Sequence, residues 1–287
     1  MTTWVEIGFG TSEVRYNFLS KVLTEKGVAN EVQYKKTDEK TFVDDLNEVM
    51  LSHKMIRIGR GLSELVVPHF PVRTEAVQRL RVADTLTLLD GTWVLDLVGL
   101  KGVHRAMMAQ SASIDYTSVA LVVGSGISAR MAIAALFKLG FKEFVVSAPD
   151  ERKVKKMTDE FSRTHLGIKF KAIPKDGLIL LPGVHGVLVN TTPMRDDNPM
   201  LVELSYFNFF KPGGVAVDFS LVPIETGLIK SASEIGASLV YGYEIAGFTD
   251  LAWVEQFFKI QVEPAPFIAG LKEALLAAEK NPRDEKV

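Results

Sequence analysis

The chain has 287 residues, 47% of them hydrophobic and 24% charged, with a formal net charge of −2. That is enough apolar material for two cores, and the near-neutral balance gives no long-range pull toward nucleic acid or an anionic membrane surface. Cysteine is missing from the sequence, so disulfides, thiolate metal sites and cysteine nucleophiles are excluded, and the apolar runs are too short to span a bilayer.

Strand and helix signals alternate along the chain. Trp4–Gly8 reads as a strand, and Val14–Lys26 as a helix with Gly27 as its stop. Glu31–Lys35 is a second strand, Thr41–Leu51 a second helix, and Leu65–Val67 a short strand broken by Pro68. Pro71–Leu80 reads as helical. Thr85–Leu89 and Thr92–Leu97 flank Asp90-Gly91, a strong hairpin signal. A helix over Gly102–Ala112 follows, and a small-residue linker is expected near Ala109–Ser118. Then come a strand at Val119–Val123, a helix to Leu139, a strand at Phe144–Ser147 and a charged helix from Asp150 to Thr164. Strands at Phe170–Ala172, Gly186–Asn190, Val215–Asp218 and Ser238–Tyr241 complete the series, with a helix at Glu225–Glu234 before the last of them. Val254–Phe258 and Pro266–Ala278 close it as helices, before the polar tail Asn281–Val287. Such alternation predicts an α/β protein with parallel sheets covered by helices.

The densest signal is Val119–Gly140. A β-branched strand runs into Gly124-Ser125-Gly126-Ile127-Ser128-Ala129, and an alanine-rich helical segment follows at once. A dinucleotide pyrophosphate requires this order. Gly124 permits the tight turn, Gly126 lets backbone N–H groups approach the phosphates, and Ala129 keeps helix and strand close.

This turn and three further segments then carry a family resemblance. Gly124–Arg130 resembles the Gly-Ala-Gly-Gly-Ala-x-Arg turn of the shikimate dehydrogenase family. Val189-Asn190-Thr191-Thr192-Pro193-Met194 resembles its Asn-Ala-Thr-Pro segment, and Val217-Asp218 with Pro223 and Thr226 its Val-Asp-x-x-Tyr-x-Pro-x-x-Thr pattern. Gly242-Tyr243-Glu244-Ile245 resembles its Gly-x-x-Met. The resemblance implies an N-terminal α/β substrate domain (residues 1–110 and 245–287), a C-terminal Rossmann-like doubly wound domain (residues 111–244) and a cleft between them. It places Asn190, Thr191, Thr192, Pro193 and Gly242 beside the nicotinamide end of a dinucleotide, and reads Asp218 and Glu244 as structural.

The chemistry half departs from the family. Its catalytic lysine falls at Phe70 and its aspartate at Gly99; the turn that grips the substrate carboxylate reads Gly10-Thr11-Ser12-Glu13, and the late glutamine becomes Thr249. Ser12, Phe70, Asp84 and Thr249 are thus the expected pocket positions, and Glu13 and Glu64 add negative charge where an acidic substrate would sit. His69, Lys101 and Asp84 are the weak candidates for proton transfer; each also has a plain structural reading as a packed or surface histidine, a solvated lysine and a turn cap. The histidines show no paired metal-ligand spacing.

For the cofactor, Pro149 stands where NADP-using members carry an arginine. Asp150 beside it favours free ribose hydroxyls, while Lys153 could still hold a phosphate, giving a slight lean to NAD over NADP. Asp150 serves equally well as a helix cap. Two function classes follow. One is an NAD(P)-dependent oxidoreductase with altered or lost activity on shikimate, acting on a small molecule such as a cyclic alcohol or ketone. The other is a non-catalytic dinucleotide-binding protein of sensing or regulatory type. Neither a nucleic acid nor a membrane partner is expected. With no basic n-region followed by an apolar h-region, a cytoplasmic monomer or homodimer is expected.

Overall fold

The computed structural model describes residues 2–110, 113–193, 200, 204 and 207–280. The Ser111 and Ala112 end of the expected fourth helix, Met194, the loop Arg195-Asp196-Asp197-Asn198 and the tail Asn281–Val287 lie outside them. The chain divides into two compact units, Met1–Val98 with Ala265–Val287, and Gly99–Pro264.

The first unit is built on a five-stranded mixed sheet of order β2-β1-β3-β4-β5. Its elements are β1 (Thr2–Gly8), α1 (Glu13–Glu25), β2 (Asn30–Lys36), α2 (Phe42–Ser52), β3 (Met55–Ile58), α3 (Glu75–Leu80), β4 (Thr85–Leu89) and β5 (Thr92–Asp96). β2, β1 and β3 run parallel; β4 pairs antiparallel with both β3 and β5. Asp90 and Gly91 both take positive φ, as a two-residue hairpin turn requires. Trp4 and Ile7 are fully buried, on opposite faces of β1, so the strand is covered on both sides.

Two expectations fail here. Leu65–Val67 is not a strand: Val66 is αR and a 3-10 turn covers Val67–His69, with Leu62, Val66 and Val67 buried at turn-like spacing. The strand of this region is the four-residue β3, too short to stand out. The helix expected over Pro71–Leu80 shrinks to Glu75–Leu80, because Val72–Thr74 runs extended along Leu95.

The second unit holds a six-stranded, all-parallel sheet of order β11-β10-β9-β6-β7-β8. In chain order it comprises α4 (Gly99–Ala109), β6 (Val119–Val123), α5 (Ile127–Leu139), β7 (Glu143–Ser147), α6 (Glu151–Thr164), β8 (Lys169–Ala172), β9 (His185–Asn190), β10 (Phe210–Asp218), α7 (Gly227–Glu234), β11 (Ser238–Val240) and α8 (Gly242–Phe258). A last helix, α9 (Pro264–Lys280), carries the chain back to the first unit, where Phe267 packs on Phe18. Strand order reverses between β6 and β9, and such a switch point is where open α/β sheets accept ligands, at the carboxyl ends of the strands.

α8 starts at Gly242 rather than at Val254. Eleven of its residues are buried, on every side of the helix, so the sequence offers no amphipathic period to read. α4 packs against α8 because Gly102 has no side chain: a Cβ there would overlap the Thr249 hydroxyl and backbone.

Candidate nucleotide site

β6 delivers the chain to Gly124, whose φ of +122° suits glycine. Its N–H donates to the Ser147 carbonyl on β7 (2.8 Å), and a Cβ there would run into the Thr191 hydroxyl. Thr191 in turn donates both its N–H and its hydroxyl to the Val123 carbonyl, each at 2.8 Å. The turn is therefore clamped by the two strands flanking β6. Gly126 is the N-cap of α5, with φ −87° and no side-chain cap. A Cβ on Gly126 would meet nothing within 4 Å. The amides of Ile127, Ser128 and Ala129 thus open α5 behind Ser125 and Gly126 without a capping side chain, and helix polarity makes this end partly positive. Ala129 is fully buried against the sheet. The site has the donors and the room that a phosphate needs.

The neighbouring strand ends are built from polar groups that satisfy each other. Asn190 on β9, fully buried, accepts the Thr192 hydroxyl (2.7 Å) and amide (3.1 Å). Its amide donates to the Thr192 carbonyl and to Asp218 Oδ1 on β10, at 3.1 and 3.3 Å. Asp218, 1% exposed, also accepts the Ser220 amide (2.9 Å) and the Thr226 hydroxyl (2.7 Å). Thr226 caps α7 by accepting from the Ile229 amide. Burial raises the Asp218 pKa against the lowering pull of these donors. Pro193 ends the described β9 exit and is exposed.

Gly242 opens α8 directly against the carbonyl of Ser220, where a Cβ would overlap. Glu244 accepts from the Tyr241 amide at 2.8 Å. The rings of Tyr241 and Tyr243 lie 5.2 Å apart. Burial, with Glu244, Tyr241 and Glu225 alongside, pushes the Tyr243 phenol up to about 12, so it stays protonated as a donor through neutral pH.

At the end of β7, Asp150 is occupied. Its Oδ1 accepts the amides of Arg152 (3.0 Å) and Lys153 (3.3 Å) and so caps α6. Desolvation raises its pKa, but the Lys153 and Arg152 amides win and leave it lowered. The carboxylate that favoured NAD is spent on its own helix, so that lean loses its support. Ser147, which the sequence reading passed over, is fully buried there, and its hydroxyl has no partner.

Other expected site residues have local employment. Lys101 donates to Gln256 (2.6 Å) on the exposed side of α4, and Thr249 donates to the Ile245 carbonyl (2.8 Å) while packed on Gly102. Gly99 is the first residue of α4 and buried. In the first unit, Asp84 accepts the Thr85 hydroxyl (2.9 Å) and the Val98 amide (2.8 Å). His69 is exposed with its ring edge-on to Phe42, and Phe70 is buried. The Ser12 amide donates to Glu6 at 2.6 Å. Glu6 escaped the sequence reading; its one signal was a lone acid inside an apolar strand. Among the described residues no group of three or more acidic or histidine side chains could hold a metal ion, and no helix is long and apolar enough to cross a membrane.

No family model matches the sequence. The chain is 21% identical over 187 residues to the shikimate dehydrogenase (NADP(+)) of Trichormus variabilis, covering 63% of this chain and 64% of the relative. It thus spans just under two thirds of that relative's length. A quinate dehydrogenase from Corynebacterium glutamicum, solved with NAD, superposes with a TM-score of 0.81 at 17% identity, covering 96% of this chain and 99% of its own. The fold is shikimate dehydrogenase-like. The shikimate 5-dehydrogenase of Thermus thermophilus, solved with NADP(H) and shikimate, gives 0.77 at 19% identity, covering 97% and 100%. The shikimate dehydrogenase-like architecture accounts for both sheets, and among these neighbours one is bound to NAD and another to NADP(H).

Proposed function

We propose that this chain is an NAD(P)-dependent oxidoreductase whose action on shikimate is altered or lost. The observation that carries the reading is the uncapped amino end of α5 at Gly126, open in front and clamped at the switch point by Thr191. A nicotinamide dinucleotide bound there would supply the hydride acceptor or donor. The Ile127, Ser128 and Ala129 amides would hold its pyrophosphate, Lys153 would face a 2′-phosphate, and Thr191, Thr192, Pro193 and Gly242 would flank the nicotinamide end. Phe70 and Gly99 carry no proton-transfer group, and a less polar cyclic alcohol or ketone suits the substrate position better than shikimate does. General acid–base assistance contributes about 10²–10⁴-fold in such reactions.

A second reading is a dinucleotide-binding sensor without catalysis. It is favoured by the engagement of two replacement candidates, Lys101 by Gln256 and Asp84 by Thr85 and Val98. Titration with NADH and NADPH separately, followed by energy transfer from tryptophan, tests both. Saturable binding with turnover of a cyclic alcohol or ketone supports the first reading, binding without turnover the second, and no binding removes both.

A further inference from the structure

Glu6 sits in the middle of β1, between Val5 and Ile7, yet is 2% exposed. Its register partners are Tyr34 on β2 and Arg57 on β3, and Arg57 is 3% exposed. Arg57 and Arg15 both bring their guanidinium carbons close to the Tyr16 ring, 5.0 and 5.1 Å from its centroid. Oε2 of Glu6 accepts the Ser12 amide at 2.6 Å. Next to Oε1, Gly59 leaves room: a Cβ there would stand 3.0 Å away.

These groups surround the turn that leaves the carboxyl end of β1, beside the end of its parallel neighbour β3, which is where such strands present ligands. Apart from its carboxylates, the surroundings have the makings of an anion pocket: a backbone amide, a hydroxyl on Thr11 and two guanidiniums. The turn's own donors are answered from within. The Ser12 amide goes to Glu6, and the Thr11 hydroxyl goes to Glu13 at 2.9 Å. Burial raises the Glu6 pKa, while the Ser12 amide, Arg15 and Arg57 favour its charged form.

We propose that Glu6 is a built-in replacement for a ligand carboxylate, so that the small molecule taken by this unit carries no carboxylate at that turn. An incoming carboxylate would find the Ser12 and Thr11 donors committed and would face the charges of Glu6 and Glu13. Glu6 and Glu13 are therefore specificity residues, acting by exclusion of acids. The substrate half of this inference rests on the oxidoreductase reading above; the occupancy half does not.

Acetate is the probe for occupancy. Glu6→Ala removes the internal carboxylate and leaves the Ser12 amide facing a vacated place. Acetate at tens of millimolar is expected to raise the Tm of Glu6→Ala by about 2 °C or more over equal sodium chloride, and to leave the wild-type protein unmoved. Equal shifts in both proteins, or none in the variant, overturn the proposal. Should Glu6→Ala fail to fold, the wild-type chain decides by calorimetric titration with shikimate and with its uncharged methyl ester. Ester binding about tenfold or more tighter than acid is expected; acid bound as well as ester, or neither bound, overturns it. Rescue by acetate in a chain that binds neither NADH nor NADPH would keep the inference and remove the oxidoreductase reading.

Discussion

Gly242 abuts the Ser220 carbonyl so closely that a Cβ on it would overlap backbone atoms of Phe219 and Ser220. Backbone cannot step aside as a side chain does, and Ser220 is itself fixed by the hydrogen bond its amide donates to Asp218. Gly242→Ala should therefore destabilise the second unit by about 2–3 kcal/mol, in the range of overpacking. Urea unfolding checks this. A variant of unchanged stability that loses NADH binding would instead assign the glycine to ligand approach.

Gly126 offers the opposite case. Its φ is ordinary and its Cβ direction is open, so Gly126→Asp should fold and gain a few tenths of a kcal/mol as a better N-cap. The same carboxylate would lie where a pyrophosphate binds, and NADH or NADPH affinity should fall by about tenfold or more, equivalent to about 1.4 kcal/mol. Retained affinity in this variant would place the dinucleotide elsewhere.

Thr226 both caps α7 and donates to the buried Asp218. Thr226→Val keeps the shape and removes the oxygen. The lost cap costs about 1 kcal/mol and the carboxylate left short of a donor about 1–3 kcal/mol. Thr226→Ser should recover most of the loss in the same denaturant titration; no recovery would mean that the methyl contact, not the hydroxyl, matters.

Asp115 accepts from Lys211 and from both the hydroxyl and the amide of Thr117, and Lys211 leads in drawing its pKa down to about 2. A carboxylate depressed in the folded state stabilises above its unfolded value of 3.8 and loses that contribution as pH falls toward about 2. Lys211→Met should unfold at lower urea than wild type at pH 6, with the gap closing between pH 4 and 2. Added salt should narrow it, since both groups are exposed. A gap constant with pH would show that the lysine acts by packing alone.

Much of the fold was legible from local chemistry. The Asp90-Gly91 turn, the glycine stop at Gly27 and the Gly124–Ala129 turn are decided by residues adjacent in sequence, and all stand in the structure. The charged α6 was legible too, because its 3.6-residue period separates a buried face from a wet one. The beginning of α8 was not, since a helix buried all round shows no such period. Nor was β3, whose four residues depend on β1 and β4 for their pairing. The Leu65–Val67 segment misled for a related reason: three adjacent apolar residues fit a strand or a turn, and only burial with Leu62 chose the turn.

For the candidate site the division is sharper. The sequence by itself determined that a glycine turn between strand and helix stands at Gly124–Ala129 and that Phe70 and Gly99 carry no side-chain group able to transfer a proton, because these are properties of residue type and short spacing. The tertiary structure decided how Asp150, Thr249, Lys101 and Glu6 are employed. Each is a polar side chain that could serve a ligand or its own fold. The choice is made by the partners the fold supplies: the Arg152 and Lys153 amides donate to Asp150 and the Ser12 amide to Glu6, Gln256 accepts from Lys101, and Thr249 donates to the Ile245 carbonyl while packed on Gly102. Hydrogen bonding is short-ranged, so a partner's distance in space, not its distance along the chain, settles which role a polar group takes.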